Sequence, residues 1–144
     1  MKKLAVFMCF LLIVSAIPVN KVTAMTNVSN QMIGGDEARP YYIYTDSLTL
    51  SITYSGSTFQ TSLFIRGKTT VNKINGTLNL YKKNGTSYNL VKQWSVSSSG
   101  NTLNTTKSYS GAKKGETYKA VFSGTVSTSS SKESISKSYV KVYE

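Results

Sequence analysis

Residues 113–126, KKGETYKAVFSGTV, form the stretch that decides the fold. An apolar or small residue recurs at every second position of its later part: Tyr118, Ala120, Phe122, Gly124 and Val126. Successive side chains of a β-strand point to opposite faces, so this period places all five on one face. The pattern predicts a strand over residues 116–126 with one buried face and one exposed face.

The start of this strand carries a second signal. Tyr118 follows a glycine-containing turn at Lys113–Gly115, and the small Ala120 lies two positions after it. This is the arrangement of a tyrosine corner in immunoglobulin-like domains, where the phenol hydroxyl bonds to backbone upstream and the later position often holds a cysteine. We therefore assign Tyr118 a structural role, and we expect Leu63 or Ile65 to pack on Ala120 in place of a disulfide.

Period-two alternation extends over most of the chain from Tyr41 onward. The predicted inward sets are Leu48, Leu50, Ile52 and Tyr54; Phe59, Thr61, Leu63 and Ile65; Leu78 and Leu80; Tyr88, Leu90, Trp94 and Val96; and Leu103 and Tyr109. Lys83-Asn84-Gly85 predicts a hairpin turn, since both central residues can take positive φ. Together with a last strand at Ile135–Tyr143, these segments predict an all-β fold, an immunoglobulin-like antiparallel β-sandwich of about seven strands.

Two details of the strands can be predicted further. Residues 69–74 could form a separate strand before a hairpin at Asn75-Gly76, or one long strand could carry a bulge at Gly76. We favour the long strand, because a separate hairpin would crowd two tight turns into a short stretch. Trp94 is expected to have a structural role and to fill the centre of the sandwich.

The first 24 residues are predicted to be an export signal. Lys2 and Lys3 precede an apolar stretch from Leu4 to Ile17, and Val22-Thr23-Ala24 supplies small residues for cleavage. Residues 25–40 are then a disordered leader, and residues 41–144 are the sandwich domain. The single cysteine, Cys9, would leave with the signal. We expect a secreted, extracellular protein without a transmembrane segment, and the lack of cysteine favours a Gram-positive bacterium.

Several motifs resemble an uncharacterised family of small secreted proteins of Gram-positive Firmicutes, a domain of unknown function. They are Tyr41-Tyr42-Ile43-Tyr44, Leu78-Asn79-Leu80-Tyr81-Lys82, Trp94 and Lys114-Gly115-Glu116-Thr117-Tyr118, in that order. The resemblance covers most of residues 41–143. It implies an exported immunoglobulin-like sandwich and transfers no site residues.

The residue types argue against enzymatic chemistry. The chain has no histidine, which excludes the usual catalytic triads and most zinc sites. Glu116 and Glu133 fall at opposite ends of one predicted strand, roughly 30 Å apart, whereas glycosidase carboxylates lie about 5–10 Å apart. Asp46 and Glu133 are expected at one pole as exposed turn acids. We therefore predict no enzyme activity, no catalytic residues, no metal site and no cofactor.

Charge points instead to binding. The chain carries 17 basic and 6 acidic residues, a net charge of +11. Removal of Lys2, Lys3 and Lys21 with the signal leaves 14 basic against 6 acidic residues, a net charge of +8. Most basic residues are lysines, which lack the bidentate geometry that favours specific phosphate or base recognition, so a nucleic-acid partner is not expected. The charge balance implies weak attraction to anionic surfaces such as cell-wall polymers, lipid headgroups or nucleic acid, and by itself it does not choose among them.

A candidate binding face comes from the last strand. If Val140 and Val142 are in the core, the residues between them point outward beside those of neighbouring strands. The predicted face is Tyr81, Lys119, Lys137, Tyr139, Lys141 and Tyr143. Tyrosines would stack on rings and lysines would attract anions. The alternative is that the tyrosines only favour strand formation and the lysines only keep the sheet soluble.

Three functions fit these observations. The leading hypothesis is a secreted, non-enzymatic binding or interaction domain for an anionic cell-surface or extracellular polymer. The second is a cationic bacteriocin-like or toxin-like effector, against which stands the lack of an amphipathic or apolar segment able to insert. The third is a structural subunit of a surface assembly joined through edge strands or the leader.

Overall fold

A computed structural model describes residues 41–144 of the protein. The predicted signal peptide (1–24) and leader (25–40) lie outside the described residues. The strands are β1 (Thr45–Ser55), β2 (Thr58–Gly67), β3 (Lys73–Asn84), β4 (Ser87–Ser98), β5 (Thr102–Tyr109), β6 (Thr117–Ser127) and β7 (Lys132–Val142). The described range contains no helix of the length and apolarity needed to cross a bilayer. The prediction of a seven-stranded all-β fold is confirmed.

The strands form two antiparallel sheets. One has three strands in the order β1-β2-β5, and the other has four in the order β4-β3-β6-β7. Both contribute to one buried core, which includes Leu50, Ile52, Phe59, Leu63 and Ile65 from the first sheet and Leu78, Leu80, Tyr118, Ala120 and Phe122 from the second. The predicted inward sets of β1, β2 and β6 are therefore confirmed, and the two sheets pack as the layers of a β-sandwich.

Large aromatic side chains fill much of this core. The rings of Phe59 and Tyr118 meet edge to face, with centroids 4.5 Å apart, and Phe122 is also fully buried. Trp94 is only partly buried and packs at the margin of the core. The prediction that Trp94 fills the centre was wrong, because β4 is an edge strand of the four-stranded sheet and the facing sheet is one strand narrower.

Both two-residue hairpins depend on a glycine. Gly56 and Gly85 have φ of 57° and 59°, and no other type of residue in the described range has positive φ. Since Ser55 pairs with Thr58 and Asn84 with Ser87, glycine is the first residue of each loop, as in a type II′ turn. The predicted β3–β4 hairpin is present, but its two loop residues are Gly85 and Thr86 rather than Asn84 and Gly85, and of these three residues Gly85 alone has positive φ.

The β3 strand is continuous from Lys73 and residues 69–74 form no separate strand, so the preference for one long strand is confirmed. The predicted bulge at Gly76 was wrong, since its pairing continues without a shift. Gly76 lies directly opposite Gly124 of β6. A Cβ on Gly124 would lie 2.6 Å from Cζ of Phe122 and 2.9 Å from Cα of Gly76. The two glycines therefore make room for the Phe122 ring.

The bulge occurs instead in β4. Leu80 pairs with Lys92 and Tyr81 pairs with Leu90, so Val91 is the extra residue. An extra residue reverses the face on which the following side chains lie. Tyr88 and Leu90 consequently lie on the outer face although Trp94 and Val96 lie on the inner one. Placing all four inward, as the even spacing predicts, was wrong for Tyr88 and Leu90.

We predict that Gly124→Ala destabilises the domain by about 2 kcal/mol, because the new methyl group overlaps Asn75, Gly76 and Phe122. Ser123→Ala, on the outer face one position earlier, is the control and should change stability by less than about 0.5 kcal/mol. Urea unfolding followed by fluorescence measures both. Equal stability of the two variants would contradict close packing of Phe122 on the glycine pair.

Candidate functional site

The odd-numbered residues of the last strand face the core, whereas the prediction placed the even-numbered Val140 and Val142 there. Val140 and Val142 are 48% and 45% exposed, whereas Tyr143 is buried and Tyr139 packs against the core. Ile135 is also buried, and its odd-numbered phase continues through Tyr139 to Tyr143. Burying two tyrosines removes more apolar surface from water than burying two valines, which decides the phase.

Aromatic contacts hold Tyr143 in place. Its ring centroid lies 4.7 Å from that of Tyr54 and 5.3 Å from that of Phe59. Its hydroxyl donates to the carbonyl oxygen of Gly56 in the β1–β2 turn. The end of β7 is therefore fixed to the end of β1 by both packing and a hydrogen bond.

This phase divides the predicted binding face between two sides of the sheet. Tyr81 and Lys119 are direct neighbours on the outer face of the four-stranded sheet. The other four residues, Lys137, Tyr139, Lys141 and Tyr143, lie on the side that faces β1. Lys141 places its ammonium group 5.7 Å from the centre of the Tyr54 ring. A Lys-Tyr-Lys-Tyr ladder on the outer face was thus a wrong prediction.

A different cluster occupies the outer face near the β3–β4 hairpin. We call it the outer-face patch, and it consists of Tyr81, Tyr88, Leu90, Lys119, Val140 and Val142. The strand register sets Leu90, Tyr81, Lys119 and Val140 side by side in one row across all four strands. Leu90 is 52% exposed. The ammonium group of Lys119 lies 5.4 Å from the centre of the Tyr88 ring.

Sequence reasoning missed four members of the patch, Tyr88, Leu90, Val140 and Val142. The outward position of the two valines could have been predicted from Ile135. This residue is odd-numbered like Tyr139 and Tyr143, so it lies on the same face as they do, and it is the stronger indicator of which face is buried. No comparable signal in the sequence indicates the bulge at Val91, because Leu90 and Trp94, on either side of it, are both even-numbered and fit one uninterrupted alternation.

Apart from Val121, the rest of this outer face is polar and largely uncharged. Asn79 accepts a hydrogen bond from the amide of Gln93 at 2.9 Å, and Asn75 accepts one from the hydroxyl of Thr125 at 2.8 Å. Further rows carry serine and threonine from β3, β4, β6 and β7. The outer-face patch is therefore a local concentration of apolar and cationic groups beside a neutral hydrogen-bonding surface.

Lysines surround the patch at the hairpin end of the sandwich. Lys83 pairs with Tyr88 across the hairpin, and Lys113 and Lys114 lie in the loop before β6. Glu116 forms an ion pair with Lys82 at 2.5 Å, the only ion pair within residues 41–144. The hydrogen bonds from Lys82 and Tyr118 lower the pKa of the Glu116 carboxyl. The Glu116 carboxylate is thus paired with Lys82 and does not neutralise the lysines around the patch.

Tyr118 fixes the loop that presents Lys113 and Lys114. Its hydroxyl accepts a hydrogen bond from the backbone N–H of Lys113 at 3.2 Å and donates one to Glu116 at 2.7 Å. The predicted bond between the phenol and backbone upstream is confirmed. Burial, with the nearby Glu116 carboxylate, raises the pKa of Tyr118 to about 12.

Two other acids, Glu133 and Asp46, lie at the other end of the sandwich. Glu133 pairs with Val126, at the opposite end of β6 from Glu116. Its carboxylate accepts hydrogen bonds from the backbone N–H groups of Ile43 and Tyr44 and from the hydroxyl of Thr45. Asp46 lies beside this contact and is exposed. Through these hydrogen bonds Glu133 holds the start of β1 to β7. The described residues contain no group of three or more metal-ligating side chains.

Comparison of the sequence with models of known protein families finds no match. Comparison with curated proteins also finds no match.

The tyrosine corner predicts a pH dependence. The pKa of Tyr118 is raised from about 10 in the unfolded chain to about 12 in the fold, so its contribution to stability is complete below pH 10 and is lost as pH rises from about 10 to 12. Tyr118→Phe should cost about 1–2 kcal/mol at pH 7, because the N–H of Lys113 loses its partner. Its stability should also fall less steeply than that of the wild type above pH 10. Denaturant unfolding at pH 7 to 12 tests this, and parallel curves would contradict it.

Proposed function

We propose that this chain is a secreted, non-enzymatic binding domain that uses the outer-face patch and the lysines around it to hold an anionic polymer of a cell surface or extracellular matrix. One observation carries the proposal: Lys119 lies beside Tyr81 and near the Tyr88 ring, in one row with the exposed side chains of Leu90 and Val140. Contiguous exposed apolar groups beside charge are typical of interaction surfaces.

The charge balance supports an anionic partner. Residues 41–144 contain 13 basic and 4 acidic residues, a net charge of +9. Two of those acids, Glu116 and Glu133, are engaged by Lys82 and by the start of β1. An excess of uncompensated positive charge raises the local concentration of anions and speeds their association. Lysine ammonium groups match repeated phosphate or carboxylate groups without requiring one fixed geometry.

The two tyrosines add a chemistry that lysines lack. A tyrosine ring provides a flat apolar surface with a polar edge, on which sugar rings stack. Because the Lys119 ammonium lies 5.4 Å from the Tyr88 ring centre, a charged group and a ring of one polymer repeat would meet the two side chains together. The neutral surface around Asn79 and Gln93 offers further hydrogen bonds to hydroxyl groups.

The same proposal includes an immunoglobulin-like type of sandwich, export through residues 1–24 and kinship with the small secreted proteins of Firmicutes. The sheet orders β1-β2-β5 and β4-β3-β6-β7 and the tyrosine corner at Tyr118 support the type of sandwich. The apolar run from Leu4 to Ile17 before Val22-Thr23-Ala24 supports export.

Lysine substitutions at the two ends of the sandwich test the electrostatic part. The patch variant carries Lys83→Gln, Lys114→Gln and Lys119→Gln, and the control carries Lys68→Gln, Lys73→Gln and Lys132→Gln at the other end. Both lose the same net charge. Binding to immobilised poly(glycerol phosphate) at moderate salt should weaken about tenfold in the patch variant and less than about threefold in the control.

An equal loss of affinity in the two variants would mean that only net charge matters, and the patch would not be the site. Lack of binding by the wild type at both low and moderate salt, to this polymer and to purified anionic cell wall, would contradict the proposal as a whole.

The tyrosines give a separate prediction. Tyr81→Ala should weaken binding to an acidic polysaccharide about fivefold, as expected for loss of about 1 kcal/mol of stacking, and should change binding to polyphosphate much less. Tyr41→Ala is the control, because Tyr41 is 92% exposed and lies outside the patch. Isothermal titration calorimetry provides the affinities. Equal effects of Tyr81→Ala on both polymers would exclude ring stacking.

A further inference from the structure

The three-stranded sheet has an outer face on the side of the sandwich opposite to the outer-face patch. Because Leu50, Leu63 and Leu103 of its strands are buried, the residues that alternate with them point outward. The register of β1, β2 and β5 aligns nine of these outward side chains in three rows of three. We call this set the neutral face, and its rows are Thr53, Gln60 and Ser108; Ser51, Ser62 and Thr106; and Thr49, Phe64 and Asn104.

The neutral face carries no charged residue, although the domain is strongly cationic. Six of its nine residues have hydroxyl groups, two have amides and one is a phenylalanine. The 13 basic and 4 acidic residues of the range 41–144 all lie elsewhere, with Arg66 in the row beyond Phe64. Exposed protein surfaces ordinarily carry charged side chains that keep them soluble. A face without them does not itself attract anions, and it is suited to an uncharged partner.

Phe64 supplies the apolar surface of this face. It lies on the central strand between Thr49 of β1 and Asn104 of β5, and it is only partly buried, while both of these shorter neighbours are exposed. An aromatic ring offers a surface on which the C–H face of a sugar ring packs. The hydroxyl and amide groups around it both donate and accept hydrogen bonds, as the hydroxyl groups of a sugar do. The two kinds of group therefore match the two kinds of surface that a sugar presents.

We propose that the neutral face binds an uncharged polysaccharide, with one sugar ring on Phe64 and neighbouring sugars on the rows of hydroxyl and amide groups. Successive rows lie about 6.8 Å apart along the strands, and the strands lie about 4.8 Å apart, so the face has room for a short run of sugars. The hydroxyls of Ser62 and Thr106 are 3.1 Å apart. Side chains of neighbouring strands are thus close enough to bind the same sugar hydroxyl.

A second copy of the sheet is a less suitable occupant of this face. Protein interfaces have a core of several buried aromatic or aliphatic side chains, and the neutral face offers Phe64 alone. Its hydroxyl and amide groups would have to find partners across a large protein surface, and each group left unpaired there would cost free energy. A sugar polymer needs one ring contact and many exchangeable hydrogen bonds, which is what these nine residues provide.

Binding to four uncharged polysaccharides tests the proposal: microcrystalline cellulose, chitin, dextran and laminarin. The wild-type protein should bind at least one of them, with affinities at 0.1 M and 0.5 M sodium chloride that agree within twofold, because salt screens only charge interactions. Phe64→Ala should weaken this binding at least fivefold, and Phe64→Tyr, which keeps the ring, should stay within twofold of the wild type. Tyr41→Ala is the control for loss of an exposed ring outside the face and should have no effect.

A second pair of variants keeps Phe64 in place. Thr106→Arg puts a long charged side chain into the middle row of the neutral face, and Ser95→Arg adds the same charge to the outer face of the four-stranded sheet. Both positions are exposed, so both variants should keep the sandwich, which circular dichroism verifies. Thr106→Arg should weaken binding to the uncharged polysaccharide at least fivefold, whereas Ser95→Arg should change it less than twofold.

Any of three results would overturn the proposal. The first is that the wild type binds none of the four polysaccharides at 0.5 M salt, and the second is that Thr106→Arg and Ser95→Arg weaken binding equally. The third is a dimer in sedimentation that Phe64→Ala abolishes, which would assign the face to a second copy. Phe64→Ala should leave binding to poly(glycerol phosphate) within twofold of the wild type, because the outer-face patch lies on the other sheet. This proposal and the proposed function can therefore fail separately.

Discussion

The contact on which the rest of the structure depends is the aromatic packing at the hairpin end of the core. Tyr54, Phe59, Tyr118 and Tyr143 form a chain of ring contacts with centroids 4.5 to 6.0 Å apart. These rings join β1 and β2 of one sheet to β6 and the end of β7 in the other. Because Tyr143 is drawn inward, every even-numbered residue of β7 points outward. The exposure of Val140 and Val142, and with it the outer-face patch, is therefore a consequence of how the core is filled.

The same packing links the core to the loop that presents Lys113 and Lys114. Tyr118 contributes its ring to the core and its hydroxyl to the loop, where it satisfies the N–H of Lys113 and contacts Glu116. Glu116 in turn neutralises Lys82 rather than the neighbouring lysines. One buried side chain thus positions a charged surface loop, which explains how a flexible type of residue such as lysine can be held near one end of the sheet.

The sequence predicted those parts of the fold in which the apolar residues are concentrated at every second position. In β6 the even-numbered residues from Tyr118 to Val126 are all apolar or small, whereas Val121 is the one apolar residue at an odd-numbered position, so the pattern decides the buried face. The tyrosine corner follows from the turn before this strand. In β7 both parities carry apolar residues, Ile135, Tyr139 and Tyr143 against Val140 and Val142, so periodicity could not decide and the volume available in the core did. In β4 the apolar residues on both sides of the extra residue Val91 are even-numbered, so the alternation does not reveal the bulge. The pairing of Gly76 with Gly124 depends on two strands far apart in the sequence, and the room that it makes for Phe122 could not be read from either glycine alone.

The small size of Ala120 has an effect beyond packing. Ala120 contributes a fully buried methyl group to the core, and no residue after Cys9 is a cysteine. Folding of residues 41–144 therefore needs no oxidant, no disulfide isomerase and no correct choice of thiol partners. The domain can reach the same state in a reducing or an oxidising medium, and a molecule unfolded by heat has no scrambled cross-links to prevent its return.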